Sequence, residues 1–174
     1  MKKTSLKAVG QEDAFEAIGK EWMLITGGAP NSFNMMTASW GGFGWLWNKP
    51  VAFIFVRPER YTYGFLEKND FLTLSFYDKQ IPQFRKALDF CGVVSGRDHD
   101  KAKETGLTPV ATDNGAVTFE QARLTLECRK LFRSEMQKEE FLAQECLKKW
   151  YGDRPGGSLH TMYVVEIKNV YVQE

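Results

Sequence analysis

The alternation of apolar and polar side chains limits what this sequence can fold into more than any other feature does. Residues 71–77 carry apolar side chains at every second position, with Thr73 and Ser75 facing outward between them. This period is typical of a strand with one buried face. Residues 122–129 repeat it, with Glu127 among the outward-facing positions. The sequence therefore predicts at least two half-buried strands.

Strands outnumber helices along the chain. Residues 51–56 are apolar throughout and bounded by prolines, which predicts a strand covered on both faces, and segments 22–26 and 163–172 also have strand composition. Helical spacing occurs in residues 12–19, 81–91 and 139–151. The first of these helices would place Phe15 on its apolar face. Because helices do not separate the strands regularly, this order favours a closed or nearly closed antiparallel barrel with peripheral helices over a doubly wound parallel sheet.

The composition limits the classes of partner. Lys and Arg total 23 against 22 Asp and Glu, a net charge of +1, whereas nucleic-acid-binding domains normally carry a basic excess or stripe. The longest apolar run, residues 51–56, is far below the ~20 residues that span a bilayer, and no signal peptide is expected. Three widely spaced cysteines do not form a disulfide framework. We expect one cytoplasmic domain over residues 1–174, with no nucleic-acid or membrane partner.

The common catalytic and metal-binding motifs are absent from the sequence. There is no G-x-G-x-x-G, phosphate-binding P-loop, H-E-x-x-H or G-x-S-x-G pattern. The chain has only two histidines, His99 and His160, and no C-x-x-C pair, so no metal site is expected. Cys91 and Cys128 lie on apolar stripes, which favours inert core cysteines over catalytic thiols.

Residues 34–50 combine small polar, glycine and aromatic residues in an unusual way. Small polar side chains are offered by Asn34, Thr37 and Ser39. Ala38 would allow a ligand to approach the backbone closely, and Trp40 would supply a flat wall. Such a segment suits a planar ligand with apolar faces and a hydrogen-bonding rim. The alternative is that the aromatic residues fill a barrel core or a subunit contact, which is the preferred interpretation for Trp45 and Trp47.

Two basic segments are candidates for binding an anion. The first, Arg57 to Thr62, follows a buried strand and offers two guanidinium groups, which bind phosphate in a bidentate manner. In the second, residues 95–101, exposed backbone N–H groups at Ser95 and Gly96 would act together with Arg97 and Lys101. The alternatives are a salt-bridged loop that leads into a helix and a solvated helix start capped by Asp98.

Together these segments resemble the flavin reductase-like, FMN-binding split-barrel family. The resemblance is carried, in order, by residues 34–40, 48–50, 57–58, 60–62, 95–98 and 126–128 and by His160 before the last strand. It covers roughly residues 22–172. It implies a mainly β fold, a six-stranded antiparallel Greek-key split barrel with peripheral helices. It also implies a homodimer that holds non-covalent FMN near the subunit interface.

The resemblance also implies which residues contact FMN. It assigns Thr37 to Trp40 to the isoalloxazine and ribityl groups, and it assigns the two basic segments to the ribityl and phosphate groups. The expected FMN contacts are Asn34, Met36, Thr37, Ala38, Ser39, Trp40, Arg57, Arg60, Tyr61, Thr62, Ser95, Gly96, Arg97 and Lys101. Because the flavin itself carries the electron or hydride step, no catalytic side chain and no metal are expected.

The residues before the last strand bear on the choice of electron donor. Nicotinamide-using members have Gly-Asp-His there, and this chain has Ser158-Leu159-His160. The histidine matches, and the resemblance implies a position for it at the nicotinamide side of the flavin. The two residues before it differ. One hypothesis is an NAD(P)H:flavin oxidoreductase that passes electrons through FMN to free flavin or a partner acceptor. The second is a flavoredoxin-like electron-transfer protein that does not use nicotinamide. A third hypothesis is a module for another planar ligand, such as haem.

Overall fold

Antiparallel strands make up most of the computed structural model, which describes residues 1–152 and 157–173. The strands are β1 (Lys2–Thr4), β2 (Met23–Ala29), β3 (Ser32–Ala38), β4 (Gly41–Leu46), β5 (Lys49–Val56), β6 (Phe71–Phe76), β7 (Pro109–Ala111), β8 (Val117–Phe119), β9 (Leu124–Glu135) and β10 (Thr161–Val172). The helices are α1 (Lys7–Gly10), α2 (Ala14–Glu16), α3 (Tyr61–Lys68), α4 (Pro82–Val93), α5 (Lys101–Thr105) and α6 (Gln144–Tyr151).

One eight-stranded sheet forms an open barrel. Its strand order is β3-β2-β6-β9-β10-β5-β4, and β1 pairs with the end of β10. β3 and β4 follow each other in the chain yet lie at opposite ends of this order, so within the described residues the sheet is not closed between them. The predicted mainly β, antiparallel split barrel is confirmed, although the sheet contains eight strands rather than the six that were expected.

The two longest strands, β9 and β10, bend and pair with strands in both halves of the barrel. β10 pairs with β5 through its first half and with β1 through its last residues, while it pairs with β9 along most of its length. The pairing of β9 with β10 shifts register at Val164/Val165 and at Ile167/Asn169. Such irregularities bend a strand and increase its twist, which lets the sheet curl.

Two apolar clusters cover both faces of β2 and β3. Met23 and Ile25 point into the barrel interior, where they pack with Leu74 and other buried residues of the sheet. Leu24 and Met35 point the other way, into a second cluster beneath α4 and α5. These two helices therefore lie against the outer face of the β2–β3 hairpin, next to the free edge of β3.

The two strands predicted to be half-buried are buried on both faces, so this part of the prediction is wrong. Thr73, Ser75 and Glu127 are fully buried, because the β7–β8 ribbon and the loop within it cover this face of the sheet. The Thr73 hydroxyl donates to the carbonyl of Val117, and Ser75 forms a 3.0 Å hydrogen bond with Thr118. Alternation of polarity correctly located the strands but could not show that a second layer satisfies the polar side.

Two of the predicted helices also differ from the structure. Only Ala14–Glu16 is α-helical within residues 12–19, and a π-helical turn over Ala17–Glu21 follows. Ile18 is buried as expected, but Phe15 is 89% exposed because the change of helical period turns it to the outside. Within residues 139–151, helix α6 begins only at Gln144. The helix over residues 81–91 is confirmed, with its first turn at Pro82.

A tight turn connects β4 to β5. Its two central residues, Trp47 and Asn48, have φ angles of 51° and 59°, so both adopt the left-handed conformation. Two left-handed residues in succession are typical of the type I′ turn, whose twist matches that of a β-hairpin. Trp47 is 56% exposed at this tip, and its ring lies 6.2 Å from that of Phe132.

A buried carboxylate fastens the β7–β8 loop to the sheet. Glu127 on β9 accepts hydrogen bonds from the backbone N–H of Asn114 at 2.8 Å and from Tyr171 at 3.2 Å, and it also accepts from Thr112 and Asn169. Burial raises the pKa of this carboxyl, but the hydrogen bonds outweigh burial and hold the pKa below its usual value. The folded protein therefore stabilises the charged carboxylate of Glu127.

We expect Glu127→Gln to lower the free energy of unfolding at pH 7 by about 2–4 kcal/mol, because a carboxamide places its own donors against buried donors. Because the native pKa is lowered, the contribution of Glu127 is present above the usual carboxyl pKa and is lost as pH falls through the native value. Urea unfolding at pH 7 and pH 4 measures both effects, with the exposed Glu140→Gln as the control. Equal stability of Glu127→Gln and the wild-type chain would contradict the prediction.

Candidate functional site

Two adjoining cavities lie beside the free edge of β3. The strand-edge cavity has a volume of about 210 Å³ and is lined by Met36, Thr37, Ala38, Ser39, Trp40, Phe55, Arg57, Arg60 and His160. The helix-end cavity has a volume of about 170 Å³ and is lined by Asn34, Glu59, Arg60, Tyr61, Thr62, Val93, Val94, Ser95, Gly96, Arg97 and Lys101. Arg60 lines both. Together they contain His160 and every residue expected from the sequence to contact FMN.

The position of β3 explains the polarity of the strand-edge cavity. β3 pairs with β2 on one side only, because it is at one end of the strand order. Every second residue of such an edge strand directs its backbone N–H and C=O away from its partner. Apolar walls come from Met36, Phe55 and Trp40. This cavity therefore combines apolar faces with a backbone hydrogen-bonding rim.

The side chain of Thr37 has a hydrogen-bond partner within the protein. Its hydroxyl donates to the carbonyl of Leu88 in α4. A hydroxyl has one hydrogen to donate, so Thr37 can offer a ligand only its acceptor capacity and its backbone. The contact between β3 and α4 is also close at Gly92, where a side chain would begin 3.6 Å from Thr37.

Helix α6 contributes residues that the sequence did not identify. The rings of Trp150 and Trp40 lie 5.0 Å apart, and the Tyr151 hydroxyl lies 2.7 Å from Nδ1 of His160. Arg57 donates to the carbonyl of Trp150 at 3.1 Å, with its guanidinium 5.2 Å from the Tyr151 ring. Arg57 is therefore held by α6 at the strand-edge cavity and does not line the helix-end cavity. The only sequence signal for α6 was the helical spacing of its apolar residues.

His160 is held as a neutral ring. Its surroundings are the Tyr151 hydroxyl, the Trp40 ring at 5.1 Å and the nearby guanidinium of Arg57. Burial, with a smaller contribution from Arg57, lowers the pKa of His160 to about 4. At neutral pH this side chain therefore offers hydrogen bonds to the cavity without a charge.

Two cations hold the carboxyl end of α4. Arg60 donates to the carbonyls of Gly92 at 2.7 Å and Cys91 at 3.2 Å, and Lys101 donates to Cys91 at 3.1 Å and to Met35 on β3 at 3.0 Å. Cations near the last carbonyls of a helix stabilise it. Burial lowers the pKa of Lys101 to about 8. Both side chains keep further N–H donors, so each can also donate into the helix-end cavity.

The rest of the helix-end cavity is polar and tightly packed. Asn34 donates to the Thr62 hydroxyl at 2.7 Å, and a Cβ at position 96 would lie 2.0 Å from the Asn34 carboxamide oxygen. Glycine at 96 thus allows the 95–97 loop to lie against Asn34. The guanidinium of Arg97 lies 4.7 Å from the Tyr61 ring. Helix α3 begins at this cavity without a side-chain cap, and a helix start of this kind favours an anion.

The start of α5 differs in detail from the sequence prediction. Asp100, rather than Asp98, is the N-cap, and its carboxylate accepts from the backbone N–H of Lys103 at 3.1 Å.

Among residues 1–152 and 157–173, no group of three or more His, Cys, Asp or Glu side chains is arranged to hold a metal ion. In the same part of the chain, no helix has the length and apolarity needed to cross a membrane.

The open antiparallel sheet, with an aromatic strand-edge cavity next to a basic one, places the chain in the class of split-barrel proteins. Within that class, the chain belongs to the family described as "Flavin reductase like domain", whose profile matches residues 15–174. The resemblance seen in the sequence is therefore confirmed. Comparison with curated protein sequences gives no significant match.

Several solved structures share this fold. Flavoredoxin of Desulfovibrio vulgaris (Miyazaki F) is 22% identical with a TM-score of 0.67, covering 100% of this chain and 78% of that one. Flavoredoxin from Methanosarcina acetivorans is 21% identical with a TM-score of 0.67, covering 88% and 69%. An FMN-binding protein from Thermus thermophilus with bound p-hydroxybenzaldehyde is 19% identical with a TM-score of 0.65, covering 88% and 71%. At these identities the likeness concerns the fold.

We expect the His160 ring to titrate with a pKa of about 4. The unfolded chain takes up this proton near the usual value of 6.5, so the protein should lose stability as pH falls from 6.5 toward 4. Nuclear magnetic resonance of the histidine ring protons measures the titration, and His99→Gln assigns the two signals. A midpoint close to 6.5 for His160 would contradict its burial against Tyr151 and Arg57.

Proposed function

We propose that the chain binds FMN non-covalently, with the flavin ring in the strand-edge cavity and the phosphate in the helix-end cavity. The observation that carries this proposal is the junction of the two cavities at Arg60. One cavity offers apolar faces and a backbone rim, and the other offers cations and hydroxyls. FMN has the same division, since a planar ring is joined through a polar ribityl chain to a phosphate.

The donor set of the helix-end cavity fits a phosphate. Its lining contains three cations, Arg60, Arg97 and Lys101, and one carboxylate, Glu59. Charged hydrogen bonds from guanidinium and ammonium groups are the strong ones that phosphate recognition uses. Because Arg60 and Lys101 are already fixed on carbonyl groups, their positions are set before the ligand arrives.

We propose that the protein acts as an NAD(P)H:flavin oxidoreductase, passing electrons to free flavin or to a partner acceptor. Bound FMN supplies the hydride and electron chemistry. The chain's residues would bind and orient the ring along β3, and Trp40, which packs against Trp150, would form an aromatic wall at one side of it. His160, neutral and hydrogen-bonded to Tyr151, offers a donor or acceptor at the same cavity without changing its charge.

The second candidate is a flavoredoxin-like electron-transfer protein that uses FMN but not nicotinamide. Ser158 and Leu159 stand where nicotinamide-using members have Gly and Asp, and the Ser158 hydroxyl donates to Glu59. This contact ties the segment before β10 to the loop before α3. Two of the structures that share the fold are flavoredoxins, which also supports this candidate.

The anaerobic visible spectrum separates the two candidates. For the oxidoreductase, we expect FMN-loaded protein to lose its flavin absorbance within seconds of adding NADPH or NADH, because hydride transfer reduces the ring. A flavin spectrum that persists with nicotinamide but disappears with a reduced ferredoxin-like donor would favour the carrier. A protein that retains no flavin absorbance once unbound FMN is removed, and whose tryptophan fluorescence FMN leaves unchanged, would contradict both.

We expect Arg97→Ala to weaken FMN binding by about 1.5–3 kcal/mol, since it removes a charged hydrogen bond to the phosphate. Arg97 is the most suitable of the three cations for this test, because its side chain is exposed and does not hold α4. Isothermal titration with FMN measures the dissociation constant, and Lys103→Ala on α5 is the matched control. An unchanged dissociation constant for Arg97→Ala would contradict the placement of the phosphate in the helix-end cavity.

We further propose that the protein is a homodimer. The β4–β5 hairpin and β9 expose three aromatic side chains, Trp45 at 66%, Trp47 at 56% and Phe132 at 45%. An exposed aromatic surface of this kind is typical of a protein–protein contact, and a second copy of the chain would cover it. Light scattering should give twice the 19.9 kDa of the chain, and a mass of one chain would contradict the dimer.

A further inference from the structure

His160 uses one of its two ring nitrogens in a hydrogen bond within the protein. Nδ1 lies 2.7 Å from the hydroxyl oxygen of Tyr151, whereas Nε2 has no hydrogen-bond partner among residues 1–152 and 157–173. His160 also lines the strand-edge cavity. Nε2 is therefore the ring nitrogen that remains for a ligand. Whether it carries the hydrogen decides if His160 donates to that ligand or accepts from it.

The Tyr151 hydroxyl determines which nitrogen of His160 carries the hydrogen. The single hydrogen of this hydroxyl has two acceptors within reach, Nδ1 of His160 at 2.7 Å and the sulfur of Met136 at 3.8 Å. A thioether sulfur is only a weak acceptor, so the shorter contact to the ring nitrogen takes the hydrogen. Because a neutral imidazole has one donor and one acceptor nitrogen, the ring hydrogen then lies on Nε2.

Contacts from α6 and from residue 40 hold the two rings in place. The Arg57 guanidinium lies 5.2 Å from the centre of the Tyr151 ring, and Arg57 also donates to the carbonyl of Trp150 at 3.1 Å. The Trp40 ring lies 5.1 Å from that of His160. The orientation of the His160 ring toward the Tyr151 hydroxyl is thus set before any ligand binds.

Both rings keep their neutral forms at pH 7. Burial raises the pKa of Tyr151, so the phenol retains its hydrogen. Burial and the nearby Arg57 guanidinium lower the pKa of His160 to about 4, so the imidazole does not gain a second one. A ligand in the strand-edge cavity therefore meets an uncharged donor at residue 160. Such a donor suits a carbonyl oxygen, because anions are bound most strongly by charged donors.

We propose that Tyr151 is a positioning residue that fixes His160 as the Nε2–H tautomer, and that His160 in this form donates to the isoalloxazine ring. The second part rests on the FMN site proposed above. The rim of the isoalloxazine ring carries carbonyl oxygens, which accept hydrogen bonds and cannot donate them. The opposite tautomer, in which Nδ1–H donates to Tyr151, would place an acceptor nitrogen against these oxygens.

Nuclear magnetic resonance of the histidine ring nitrogens tests the role of Tyr151 without any ligand. We expect wild-type His160 to be in the Nε2–H form at pH 7, and Tyr151→Phe to gain a measurable Nδ1–H fraction. Tyr63→Phe is the matched control, since it removes a hydroxyl that contacts Arg133 rather than a histidine. A wild-type ring with its hydrogen on Nδ1, or a tautomer that Tyr151→Phe leaves unchanged, overturns the inference.

A double-mutant cycle tests whether Tyr151 acts through His160. Isothermal titration should show that His160→Ala weakens FMN binding by about three- to tenfold, as expected for the loss of one neutral hydrogen bond. Tyr151→Phe should weaken it by part of that amount, and it should have no further effect in the His160→Ala background. Tyr63→Phe should leave the dissociation constant unchanged in both backgrounds.

The outcomes separate the inference from the proposed function. Equal effects of Tyr151→Phe in the two backgrounds, or FMN binding that His160→Ala leaves unchanged, overturn the inference. Failure of the wild-type chain to bind FMN would instead contradict the proposed function. In that case the ring-nitrogen spectra would still decide whether Tyr151 fixes the tautomer of His160.

Discussion

The last carbonyls of α4 are the point on which the site depends. Arg60, just before α3, and Lys101, the first residue of α5, both donate to the carbonyl of Cys91, and Lys101 also reaches Met35 on β3. Three helices and the edge strand are thereby joined at one place without a disulfide or a metal. The same two cations face the helix-end cavity, so the interaction that fixes the helices also sets the charge available to a ligand.

Much of the fold could be predicted because buried faces impose a period on the sequence. The strand over 51–56 and the helix over 81–91 were located correctly for this reason. The burial of Thr73 and Glu127 could not be predicted, since their polar groups are satisfied by residues of the β7–β8 ribbon that are distant in sequence. Phe15 was misplaced because its helix changes to a π-helical turn, which a regular helical period does not represent.

The sequence predicted which residues meet at the site better than it predicted what each one does there. The order of motifs identified the segments that line the two cavities. It could not show that Thr37 donates to Leu88 or that Arg57 is held by α6, because both partners are chosen by tertiary packing. The presence of Trp150 and Tyr151 at the site could not be predicted for the same reason. Most residues of their helix are exposed, and these two contact Trp40 and His160 of the barrel.

The tip of the β4–β5 hairpin combines an unfavourable backbone conformation with an exposed aromatic side chain. A left-handed conformation costs most residues roughly 1–2 kcal/mol, and type I′ turns usually avoid this cost with asparagine and glycine. In this turn Asn48 is one of the favoured residues, but Trp47 is not. A sequence optimised only for folding would place glycine in the turn. The strained turn therefore holds the Trp47 side chain out from the sheet, 56% exposed and next to Phe132.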